Sequence, residues 1–356
     1  MAERTADRSA SALAPASSGP SRSQQTRRPV QLASTLAARR RDLALPLVLL
    51  GEVILWTILS PVFLTQVNLI NILRASSTVG IMAVGMTLVI LTAGIDLSVG
   101  SLVSFTGLVC ASALAVSGSG LVVILVALAV GALSGLVNGV FVAKLGVPAL
   151  ITTLGTMYVL RAGSQLWNNG GPLPMRDPWI IWLGSGYIGP VPVPVLVWVL
   201  VLIGGYWVLS QSRFGRHVYA VGGSPQAAKL SGIRSTRVLL GVYVVSGLLA
   251  AVASLLYMGR LATSSPLTGD GLELQVIAAV VVGGASLFGG IGNLRDTVLG
   301  VLILTVLQTG LNLVGVSGFW QTMALGLALL VAVLLSPEAT LHRLLSTVLH
   351  SRKARQ

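Results

Sequence analysis

Ser212–Arg237 reads SRFGRHVYAVGGSPQAAKLSGIRSTR, with five basic residues and four glycines, between apolar runs at 191–209 and 238–259. A basic island between two membrane-length runs is a loop held at one face of a bilayer, provided that the remaining chain is embedded too. Composition says that it is. Of 356 residues, 54% are apolar and 9% charged, where a soluble chain carries about 25% charged residues. The mean hydropathy is +0.87. At roughly 17 to 25 residues per span, the chain holds about eight to ten helices and little else. The expected fold is an all-α, polytopic integral membrane helical bundle.

Apolar runs lie at 44–63, 75–92, 98–116, 121–143, 146–162, 191–209, 238–259, 273–287, 296–314 and 319–336, which makes ten helices the expected count. With the N-terminus on the cytoplasmic side, nineteen basic residues fall inside and only Arg74, Arg161, Arg176 and Arg260 outside. That asymmetry is the one the positive-inside rule requires, and it puts both termini in the cytoplasm. Residues 1–43 carry eight Arg against three acids, lack apolar periodicity and read as a disordered basic tail. The membrane domain is 44–336, with its central loop at 210–237, and 337–356 forms a cytoplasmic C-terminal tail. Two runs, 146–162 and 273–287, are short and bounded by Gly or Pro, which predicts broken or re-entrant helices. Irregular backbone at membrane depth survives only where protein or an aqueous cavity surrounds it.

Several chemistries are excluded. Cys110 is alone, so it forms no intrachain disulfide, and His217, His342 and His350 lack metal-ligand spacing. The +13 net charge sits in tails and loops on one side, a distribution suited to membrane lipids and not to nucleic acid. None of the three lysines follows a glycine, and HExxH and GxSxG are missing, so neither a Walker-type phosphate loop nor those hydrolytic sites exist.

Polar residues within or beside the runs are the candidates for a translocation path. Asp96 in GIDLSVG (94–100) stands between two runs, where an ionised carboxylate costs about 2.5–3.5 kcal/mol at mid-membrane. Its expected role is a cap on the following helix, with a proton relay as the lesser reading. Asp270 and Glu273 in DGLE have capping-box spacing. Asn138, Gln308 and Asn312 are amides that either hydrogen-bond a neutral polyol or staple helices together; Gln308 and Asn312, four apart, share a helix face. Gly131, Gly135 and Gly139 at four-residue spacing predict close helix packing. Between the fifth and sixth runs, Trp167, Trp179, Trp182 and Tyr187 suit an interfacial segment, and Arg176 with Asp177 is available there to an external partner.

Three long stretches in order carry a resemblance: MAVGMTLVILTAGIDLSVGS (82–101), GRHVYAVGGSPQAAKLSGI (215–233) and LELQVIAAVVVGGASLFGGIGN (272–293). They resemble the ribose-type branch of bacterial ABC-importer permeases, over about residues 44–336. The resemblance implies an inner-membrane subunit, functioning most simply as a homodimer, that translocates a sugar by alternating access. It implies cytoplasmic ATPase subunits that bind ATP and Mg, an extracytoplasmic sugar-binding protein that delivers substrate, and no cofactor in this chain. Gln226, Ala227, Ala228 and Gly232 are similar to the importer coupling pattern E-A-A-x-x-x-G, with Gln in place of the acid, and Arg213, Gly215 and Arg216 flank it. Arg74, Arg176 and Arg260 are then the outer cations open to carboxylates of the binding protein. An ion-coupled secondary transporter is the alternative from another class; a branched-chain amino-acid or autoinducer permease is the alternative within the family.

Overall fold

A computed structural model describes residues 27–334, with side chains from Leu43 onward. Most of the two expected tails, with His342 and His350, lies outside the described residues. The helices are α1 (Arg27–Leu59), α2 (Gln66–Leu91), α3 (Ser98–Ser117), α4 (Gly120–Ala143), α5 (Ala149–Trp167), α6 (Pro178–Ser185) and α7 (Val193–Gln211). They continue as α8 (Arg213–Gly223), α9 (Pro225–Leu230), α10 (Ser235–Leu261), α11 (Leu272–Val282), α12 (Leu294–Leu313) and α13 (Gly318–Leu334). Two antiparallel pairs of two-residue strands complete the chain: β1 (Leu173–Pro174) with β4 (Thr263–Ser264), and β2 (Tyr187–Ile188) with β3 (Val191–Pro192).

Each of the ten apolar runs corresponds to one helix. Two boundaries correct the sequence reading. α1 begins at Arg27, inside the stretch expected to be tail, because Gln31–Leu43 is rich in Ala, Leu and Arg, which favour helix even without amphipathic periodicity. The chain divides by its contacts into a unit ending at Ala44 and one beginning at Leu45. The second correction concerns 146–162, which is not broken: α5 runs unbroken for 19 residues, with Pro148 at its N-cap starting the helix and not interrupting it.

The other short run is interrupted as expected. α11 has 11 residues, about 16 Å of rise, roughly half of a ~30 Å hydrocarbon layer. Gly283–Asn293 then folds back on itself, with Ser286 N donating to Ile291 O (2.9 Å) and Gly290 N donating to Leu91 O at the end of α2 (2.9 Å). Among the described residues six helices, α2, α3, α4, α7, α10 and α12, are long and apolar enough to cross a membrane, and Leu43–Leu59, α11 and α13 are shorter apolar helices.

α2 is the axis of the core. Its residues from Ser76 to Leu91 are all buried, packed against α7, α10, α11 and α12. A helix apolar on every side has no solvent face and must be enclosed. α10 is the second pillar, pressed along α4: a Cβ at Gly131 or Gly135 would strike the α10 backbone at Gly247 or Tyr243, and one at Gly247 would strike Gly131. The four-residue glycine spacing therefore serves close helix packing. α5 sits differently, on α3 and along one edge of α4, with Ile151, Tyr158, Val159 and Leu166 exposed.

Candidate functional site

The central loop folds as two helices meeting at Ser224. Ser212 caps α8 by accepting from Gly215 N (3.0 Å), and Gly215 presses against the last turn of α7. Val218, Val221 and Gly222 form the buried face of α8. Gly222 lies against Leu91 O, and the Tyr219 hydroxyl donates to Gly292 O (2.8 Å). Burial pushes the Tyr219 phenol above its ordinary pKa, so it stays a donor. The loop is thus fastened to the end of α2 and to the folded-back Gly283–Asn293 segment.

α9 projects from that base. Ser224 caps it, accepting from Ala227 N (3.3 Å), and Pro225 opens its first turn. Ala228 is buried, whereas Gln226, Ala227 and Lys229 are exposed. Gly232 ends the turn at φ 77° with open space around it, a left-handed conformation that suits glycine. Leu230, 90% exposed, is the tip of this knob. The sequence reading gave it no role; its signal was an isolated apolar residue inside an otherwise polar, basic loop. Arg213 and Arg216 are exposed at the start of α8.

Asp96 and Asn138 meet in a second place, wholly inside the bundle, each 1% exposed. Asp96 Oδ1 accepts from Ser98 Oγ (2.6 Å) and Ser98 N (3.1 Å), and Oδ2 accepts from Ser246 Oγ of α10 (2.9 Å). Asn138 Nδ2 of α4 donates to Ser98 Oγ (2.9 Å), and Thr156 Oγ1 of α5 donates to Asn138 Oδ1 (2.7 Å). The bond from Ser98 N is local to the turn; the N-cap of α3 is Leu97 and no side chain caps it, so Asp96 is not the helix cap that its position suggested. The rest of the network joins the α2–α3 break to three more helices. Gln308 and Asn312 lie elsewhere: Gln308 Oε1 accepts from Gln275 Nε2 of α11 (2.7 Å), and Asn312 is exposed near the end of α12.

A third cluster replaces the expected capping box. Gly271, at φ 81°, is the N-cap of α11, and no side-chain cap bond forms there. Arg161 of α5 instead reaches across to Asp270 (2.7 Å) and Glu273 (3.4 Å). One guanidinium facing two carboxylates is a tertiary arrangement that the local DGLE pattern does not reveal.

At the far end, the three candidate arginines differ. Arg74 is not free: its Nη2 donates to Ser185 O (2.8 Å) and its guanidinium stacks 4.8 Å from the Tyr187 ring centroid, fastening α2 to α6. Arg176 and Arg260 are exposed. Asp177 is spent as the cap of α6, accepting from Ile180 N (3.0 Å).

The described chain is thus a multi-helix bundle with a two-helix knob rooted at the end of its central helix. Sequence comparison identifies the class: the family described as "Branched-chain amino acid transport system / permease component" matches residues 68–335, and the chain belongs to that family. Within it, the chain is similar to the ribose import permease RbsC of Escherichia coli (strain K12), 45% identical over 280 residues covering 78% of this chain and 87% of the relative. RbsC of Bacillus subtilis (strain 168) is 40% identical over 285 residues, 80% of this chain and 88% of the relative. The fructose import permease FrcC of Rhizobium meliloti is 35% identical over 301 residues, 82% and 84%. No solved structure matches the chain.

Proposed function

We propose that this chain is the membrane-spanning subunit of a bacterial ATP-driven importer, passing ribose or a related monosaccharide or polyol through the inner membrane. The observation that carries the proposal is the α9 knob: an exposed Leu230 beside Lys229 and Gly232, on a loop fastened beneath α2 and the folded-back segment. A large apolar side chain surrounded by cations suits the anchor of a protein partner. The relatives named above, import permeases for ribose and fructose, support the sugar class.

In this reading α9 seats in a cytoplasmic ATPase subunit, with Gln226, Ala227, Ala228 and Gly232 shaping the insert and Arg213, Gly215 and Arg216 setting its base. ATP and Mg bind that partner, and this chain carries no cofactor. Both termini are cytoplasmic, and a second copy completes the pathway. Closure of the ATPases pushes α9 and α8, and the push passes through Gly222 to Leu91 and through Tyr219 to Gly292, displacing the end of α2 and the folded-back segment together. Gln308 and Asn312 on α12 remain candidates for the path. Asp96 and Asn138 act in it by joining the helices that move, and the full set of neutral donors around Asp96 speaks against an ion-coupled mechanism. On the outer face Arg176 and Arg260 meet carboxylates of a sugar-binding protein, while Arg74 holds α6 in place behind them.

The test is uptake of labelled pentoses, hexoses and polyols into proteoliposomes containing this chain, its ATPase and its binding protein, with and without internal ATP. ATP-dependent uptake that Leu230→Asp or Gly232→Asp abolishes, with the chain still assembled in the membrane, is the expected result. Uptake by this chain alone, collapsing with an ionophore, would overturn the reading.

A further inference from the structure

Phe214, the second residue of α8, stands between two hollows of opposite character. On one side a groove of about 600 Å³ runs between α2, α7 and α10, walled by Val84, Leu88, Val201, Val245 and Leu249. Its only polar side chains are Trp207 and Ser212, and the Ser212 hydroxyl is spent on Val208 O (2.6 Å). On the other side a basin of about 450 Å³ is lined by His217, Arg234 and Arg237, with Ser231 and Gly232 at its edge. Neither arginine side chain nor His217 has a partner among the described residues, and Arg234 and Arg237 are exposed. Gly241 of α10 faces the Phe214 ring, where a Cβ would approach to 3.0 Å, so its absence leaves the ring seated on the wall that the two hollows share.

The three helices that form the groove are all of membrane-spanning length and apolarity, so its occupant is apolar and resides in the bilayer. The basin lies at the loop end of α10, lined from α8, the 231–234 turn and α10, and Tyr206 and Trp207 near the end of α7 are exposed (47% and 62%), as rings at a membrane–water boundary are. An apolar groove leading to a cationic basin at headgroup height matches a phospholipid, and unpartnered arginines select a negative headgroup. We propose that this chain binds an anionic glycerophospholipid at a defined site, one acyl chain in the α2–α7–α10 groove and the phosphate on Arg234 and Arg237, with His217 beside it. The basin borders the α9 knob at Ser231 and Gly232, but the lipid site stands whether or not the transport reading holds.

Titrating the purified full-length chain in detergent with phosphatidylglycerol and with phosphatidylcholine of the same acyl chains, followed by native mass spectrometry, tests the site. The expected result is preferential retention of phosphatidylglycerol, lost in the Arg234→Gln/Arg237→Gln double variant through an affinity drop of roughly thirtyfold, from about fivefold per cation. Gly204→Leu, whose side chain enters open space on the groove side, weakens both lipids while the chain still folds. Single Arg237→Gln, about fivefold weaker, serves if the double variant does not assemble. Equal binding of the two lipids by the unaltered chain would overturn the proposal, as would a preference that survives both arginine changes. Competition by soluble glycerol phosphate at millimolar concentration would also overturn it, because the basin would then bind phosphate without a chain in the groove. So would loss of the lipid on adding the ATPase subunit, which would make the basin part of the docking surface.

Discussion

Two polar clusters interrupt the apolar body, and they solve the same problem differently. Around Asp96 a carboxylate is held by neutral donors from short side chains, Ser98, Ser246 and, through Ser98, Asn138, all of them buried. Around Arg161 two carboxylates are met by one long cation, with side-chain exposures of 29% for Arg161, 44% for Asp270 and 7% for Glu273. The first arrangement draws its partners from hydroxyls and an amide fixed close to their backbones, so it tolerates little relative motion of the four elements it joins. The second depends on charge at the end of a flexible side chain, and Coulomb attraction falls off gently with distance. The bundle is therefore fixed around Asp96 and adjustable around Arg161. The adjustable contact sits on α5, a helix packed on α3 and one edge of α4 with Ile151, Tyr158, Val159 and Leu166 exposed.

The largest effect should come from removing the Asp96 carboxylate. Asp96→Leu strips two serine hydroxyls and a backbone N–H of their acceptor in a dry interior, at a cost of about 3–5 kcal/mol, read as unfolding of the purified chain in a denaturing-detergent titration. Asp96→Asn, which keeps the volume and one acceptor oxygen, should cost clearly less; equal losses would mean that both carboxylate oxygens are needed as acceptors. Next comes Arg161→Gln, which leaves Glu273 without its counter-charge. Because the cluster is partly exposed, roughly 1–3 kcal/mol is expected, accompanied by faster hydrogen exchange in α5 and not in α4. Thr156→Val, which frees one oxygen of Asn138 from its link to α5, should cost about 0.6–2 kcal/mol. The smallest effect separates the clusters by condition: raising salt from 0.05 to 0.5 M in detergent should weaken the Arg161–Asp270 coupling measured by a double-mutant cycle, by about 0.5 kcal/mol. The Asp96–Ser246 coupling should not change.

What the sequence made legible follows the range of the forces involved. Hydropathy and length are local sums, so ten of the thirteen described helices, the half-length α11 among them, were readable from them. The helix and turn of the α9 knob were implied by the resemblance of Gln226, Ala227, Ala228 and Gly232 to a family pattern, while its caps at Ser224 and Pro225 came from the structure. The partners of Arg161 were not, since the two acids lie more than a hundred residues away and their spacing imitates a capping box. Arg74 was expected to be free because its position beside the Ser185 carbonyl is created by the packing of α6 against the bundle. The unbroken α5 was misjudged for a related reason: a run bounded by Gly146, Pro148 and Gly163 looks short on paper, but Pro148 starts the helix and Gly163 does not stop it. Asp96 was half legible, the turn-local bond to Ser98 N being foreseeable and the bond from Ser246, 150 residues on, not.

The glycine seam between α4 and α10 bears on how a displacement can travel. Most helix contacts are cushioned by side chains that change rotamer under load and dissipate part of it. Where Gly131 and Gly135 touch Gly247 and Tyr243, main chain rests on main chain, and nothing compliant lies between the two. A displacement of either helix is therefore resisted by main chain of the other, with no side chain between them to give way.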